Sequence, residues 1–131
     1  MTEADPADVL FAIGDYAGGA ACGGLTAAAV RALVEPRMDM VLAMLAGMGL
    51  GLLVHLGVTL LLTPVIGAFH AMVPGSLIGM YGGMLFAMRD TMQHPASLAH
   101  AVWIGGIFGI VMVTVVRLYD RALRDEPSPA K

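Results

Sequence analysis

The chain has 131 residues, 58% of them apolar and 13% charged, with a mean hydropathy of +0.80 and a formal net charge of −3. A soluble domain carries roughly a quarter of its residues as Asp, Glu, Lys or Arg, so this composition excludes an ordinary soluble fold and points to an integral membrane protein. The single cysteine, Cys22, excludes an intramolecular disulfide and any CxxC metal motif, and reads as a small apolar packing residue.

Residues 1–8 form an acidic tail carrying Glu3, Asp5 and Asp8. The following segment, 9–34, is rich in Gly and Ala and predicts a helix, but a weakly hydrophobic one with Asp15 inside it. A charge at the centre of a span costs about 2.5–3.5 kcal/mol, whereas Asp15 lies only about two turns from the start and reaches toward the interface. The segment therefore reads either as a span or as a helix lying on the membrane or packed against the others. Its acidic start, without a positive n-region, argues against a cleaved signal peptide.

Two stretches without Asp, Glu, Lys or Arg follow, Met40–Met88 and Thr91–Val116. A bilayer core takes about 20 helical residues, so the first stretch holds two spans, 39–62 and 65–89, joined by a tight turn. The dipeptide Thr63-Pro64 supplies that turn, as an N-cap followed by Pro in the first helical position. Pro74-Gly75 then kinks the second span; alternatively Val65–Val73 is re-entrant and the span begins at Pro74. After the breaker Gln93-His94-Pro95 comes a third span, 98–118, and then a charged tail, 119–131. The expected fold is an all-α integral membrane protein, a small bundle of three transmembrane helices plus an N-terminal helix that forms a fourth span or packs beside them. Its expected location is a bacterial inner (plasma) membrane. Arg117, Arg121 and Arg124 follow i, i+4, i+7 spacing and form a basic face suited to an anionic cytoplasmic leaflet, which places the C-terminus in the cytoplasm.

Glycines recur at small-xxx-small spacing in every apolar segment: Gly14/Gly18, Gly19/Gly23, Gly47/Gly51, Gly75/Gly79/Gly83 and Gly105/Gly109. Such rows let helix backbones approach closely in lipid. They exceed what three helices need among themselves, so a homo-oligomer, or docking into a larger membrane complex, is expected.

Methionines form a second pattern. Met40, Met44 and Met48 precede the turn, and Met80, Met84 and Met88 follow it, with Met92 beyond. Folded at Thr63-Pro64, the pairs 40/88, 44/84 and 48/80 each sum to 128 and fall at equal depth. Thioether sulfur is a soft ligand for Cu(I) and equally a flexible packing group. Four histidines flank this ladder: His55 and His70 toward the turn, His94 and His100 at the other end. His55 lies deep in a span, where a polar group marks a functional site or a specific partner. His94, before Pro95, has a solvated loop position as its simpler reading.

Met84-xxx-Met88 in the second span and Gly105-xxx-Gly109 in the third resemble, in order and spacing, the Ctr family of copper uptake channels. The resemblance implies Cu(I) passage along the methionines. The chain departs from that family in lacking a Met-rich extramembrane N-terminus and a C-terminal Cys/His motif, and in its long apolar N-terminal segment.

Two histidines at similar depth, with Gly51/His55 and Ala96/His100 at small-xxx-His spacing, also admit non-covalent haem; the absence of CxxCH excludes covalent attachment. No Ser-His-Asp grouping, phosphate loop or paired intramembrane carboxylates are present, so no enzyme is expected, and no nucleic-acid partner. The function expected is handling of a soft metal, Cu(I), by transport or transfer through the Met/His ladder. The alternative is a non-catalytic accessory subunit of a larger membrane complex, whose methionines and glycines serve packing.

Overall fold

In a computed structural model of the chain, residues 6–66, 75–92 and 97–124 are described, and among them all regular structure is helical. Helix α1 is Pro6–Leu33 and α2 is Met40–Ile66. Helix α3, described over 75–92, contains a π-helical segment Ile78–Gly82 continued by the α-helix Gly83–Met92. Helix α4 is Leu98–Arg124. Two of these helices, over Met40–Leu61 and Leu98–Arg124, are long and apolar enough to cross a membrane.

The ends follow from local chemistry. Asp39 Oδ1 accepts the N–H groups of Val41 (3.0 Å) and Leu42 (3.2 Å), capping the orphan donors at the start of α2. Ser97 Oγ accepts the His100 N–H at 3.3 Å and caps α4.

Two close seams organise the bundle. In the first, α1 meets α4: a Cβ added to Gly23 would overlap the Gly105 carbonyl, one on Gly109 the Gly19 carbonyl, and one on Gly105 the Gly23 carbonyl. In the second, α2 meets α3 in the same manner, Gly47 against Gly83 and Gly51 against Gly79, with Ala87 beside Gly47. The expected glycine rows are thus helix contacts, and the helices of each pair run antiparallel. Among the described residues the α1–α4 contact is the most extensive, so segment 9–34 is a packed element of the bundle. Between the seams lie Val30, Val34, Ala43, Phe86 and Ala101, and a smaller cluster of Cys22, Ile78 and Val113.

Three expectations are corrected. Thr63-Pro64 does not start a helix, because α2 runs on to Ile66 with Pro64 in its last turn; the Thr63 hydroxyl donates to the Thr59 carbonyl at 2.6 Å, a helical i−4 contact. Facing residues across the second seam sum to 130 (47 with 83, 51 with 79, 55 with 75), not to 128. The helix of the expected span 98–118 does not stop there but runs on through Arg124, with Arg124 Nε on Asp120 at 2.9 Å. The kink expected at Pro74 lies outside the described residues.

Candidate functional site

The methionine rows take their position from the second seam. Each residue of an α-helix advances about 100°, and in an antiparallel pair the residue following a seam position falls on the same side of the seam in both helices. Met44 and Met48 follow Ala43 and Gly47, while Met84 and Met88 follow Gly83 and Ala87. Both rows therefore flank one side of the seam. The opposite side, preceding the seam positions, carries Ile78, Gly82 and Phe86 and faces the rest of the bundle; Phe86 meets Phe108 of α4 edge-on at 5.6 Å. The methionine side is thus the outer face of the hairpin. Met44, Met48, Met84 and Met88 are half-buried, Met40 and Met80 are 37% and 46% exposed, and Met80 lies in the π-helical segment.

The measured register also changes the rungs. With facing numbers summing to 130, Met88 falls at the depth of residue 42 and Met84 at that of residue 46. The rows interleave in the order Met40, Met88, Met44, Met84, Met48. Successive members rise two residues, about 3 Å at 1.5 Å per residue. The expected level pairs become a staggered ladder.

His55 lies on the seam itself, 5% exposed, its ring filling the space where a Cβ on Gly75 would stand. Nδ1 shares a hydrogen bond with the Thr59 hydroxyl at 3.2 Å. His100, in the first turn of α4, is exposed, and His70 and His94 lie outside the described residues. Among the described residues no three of His, Cys, Asp and Glu come together as a metal cluster. The space beside Gly51, considered above for a macrocycle, holds the Gly79 carbonyl.

Two further polar arrangements bring in partners that the sequence reading did not find, Arg117 for Asp15 and Arg31 for the Arg89-Asp90 helix end. Arg117 Nη2 donates to Asp15 Oδ2 at 2.7 Å, with the guanidinium 5.5 Å from the Tyr16 ring centroid. These residues are 102 apart in sequence and become neighbours only through the α1–α4 register. At the far end Asp90 is buried at 7% exposure, near Arg31 of α1 and Arg89. Burial pushes its carboxyl above the usual range, and the two arginines partly offset that rise.

Comparison with known proteins returns no matching family model, no matching curated protein and no matching solved structure. The likeness to the Ctr family rests on the methionine and glycine motifs alone.

Proposed function

We propose that the chain is an integral membrane protein of four spans that carries a soft metal ion, Cu(I), along its methionine face. The membrane reading is supported by α2, whose most apolar stretch is only 22% buried inside the fold, with Leu53, Leu60 and Leu61 exposed at 66%, 80% and 80%. A helix that is apolar all round and largely uncovered needs lipid or a partner around it. The charged layers agree. Asp15 with Arg117 marks one level and Arg31 with Asp90 the other, and on α1 these are 16 residues apart. That is about 24 Å of helix, close to a hydrocarbon core of about 30 Å.

The observation that carries the metal reading is the staggered ladder on one shared face. Thioethers are soft enough to select Cu(I), and closely spaced, individually weak sites suit stepwise passage. Because the ladder faces outward from one chain, a second copy closes the path, which makes the working unit a homo-oligomer. The same outward placement favours the accessory-subunit reading, in which the methionines form an adaptable docking face.

Cu(I) content and affinity of the purified protein, compared with Met44→Leu/Met84→Leu, separate the two. Met to Leu nearly conserves volume and costs less than about 1.5 kcal/mol per site, so the double variant folds. Stoichiometric Cu(I) in the wild type, lost in the variant, is the expected result. A copper-free wild type that folds as well as the variant leaves docking as the function.

A further inference from the structure

Beyond the methionine face, the α1–α4 pair carries a groove of about 600 Å³ on its outer side, near the N-terminal end of α1. Its walls are apolar, with Val9, Ile13 and Ala17 on α1 and Ile110 on α4, and Arg117 and Arg121 stand at one end. The charges there do not balance. Arg117 is committed to Asp15 at 2.7 Å and held over Tyr16, and Arg124, exposed and off the groove, pairs with Asp120. Arg121 is exposed and has no ion-pair partner among the described residues. One turn from Arg117 on the same helix face, it adds a positive charge with free N–H donors to the end of an apolar trough.

Depth matters as much as charge. If the Asp15–Arg117 layer marks the hydrocarbon boundary, Ala17 and Ile110 lie on the acyl side of it and Arg121 on the headgroup side. A ligand complementary to this groove has an apolar chain and an anionic head, in that order along the membrane normal. We infer that the α1–α4 groove is a binding site for an anionic phospholipid, its acyl chain against Ala17 and Ile110 and its phosphate on Arg121 and the outer edge of Arg117. The inference rests on α1 and α4 crossing the membrane.

The test uses the full chain, purified in detergent, stripped of lipid and titrated with phosphatidylglycerol, phosphatidylcholine or inorganic phosphate while unfolding temperature and bound lipid are followed. Phosphatidylglycerol is expected to bind and stabilise. Arg121→Gln is expected to weaken it about fivefold, the equivalent of one basic residue at the surface of an anionic membrane. Arg124→Gln, which removes the same charge outside the groove, is expected to leave binding unchanged. Ala17→Leu, which narrows the trough, is expected to lower binding without altering charge selectivity. Equal binding of phosphatidylcholine, full stabilisation by inorganic phosphate alone, or an Arg121→Gln variant that binds as the wild type does would overturn the site. Those results leave the membrane reading intact if the protein still requires detergent for extraction. Release by alkaline wash alone would instead sink the membrane reading.

Discussion

His55 and Gly75 form one structural unit: the ring occupies the volume that any side chain at position 75 would need, so the histidine is admitted to the seam by the absence of a Cβ opposite. Thr26 is a less satisfied case. Its hydroxyl is fully buried without a hydrogen-bond partner among the described residues beyond the neighbouring Cys22 thiol, only a weak acceptor, which itself reaches the Gly75 carbonyl at 4.0 Å. Asp90 yields a prediction with a sign. Its folded-state pKa is raised, so between the ordinary carboxylate value of about 3.9 and the raised one the folded chain holds more protons than the unfolded chain. Stability therefore falls as pH rises through that window and stays lower above it. Denaturant unfolding in detergent from pH 3 to pH 8 is expected to show Asp90→Asn more stable than the wild type at pH 7, with the difference shrinking toward the ordinary carboxylate pKa. A variant destabilised at pH 7 would mean that the charge interaction with Arg31 outweighs burial.

At the scale of helices, the glycines span two physical extremes. Gly47, Gly51, Gly79 and Gly83 are in backbone contact, while nothing approaches a Cβ at Gly49 or Gly57. Gly51→Ala is expected to cost about 3 kcal/mol, by forcing α2 from α3. Gly49→Ala is expected to gain up to about 1 kcal/mol, from helix propensity. Thermal unfolding of the two variants checks both, and equal effects would refute the seam. The sequence carried the spacing of these rows but not their pairing, because all four helices present the same small-xxx-small pattern and any row fits any other. The hairpin register was nearly legible: placing its centre at Pro64 missed by one residue, because Pro64 is accommodated in the last turn of α2 instead of opening α3. That single residue turned level methionine rungs into staggered ones. The Asp15–Arg117 pair was not legible, since no local pattern links residues on the first and last helices.

For the whole molecule, four antiparallel helices put both ends of the described chain on one side. In a Cys22→Ala background, Val9→Cys and Asp120→Cys are expected to react with an impermeant maleimide from the same side and Glu35→Cys from the opposite side. If Val9→Cys reacts with Glu35→Cys instead, α1 lies on the surface and three spans remain. Composition already announced the all-helical, apolar character of the chain; the standing of segment 9–34 was hidden because its packing partner is the helix farthest from it in sequence.

That distance has a consequence for biogenesis. The second seam joins neighbours in sequence and closes as soon as α3 has been synthesised, whereas the first must wait for Leu98–Arg124 to leave the ribosome. In the four-span arrangement proposed above, α1, weakly hydrophobic and bearing Asp15 without its counter-ion, would until then have little to hold it in a bilayer. On that reading α4 secures α1, and a chain cut short before Arg117 would lose the anchoring of α1 while keeping the α2–α3 hairpin.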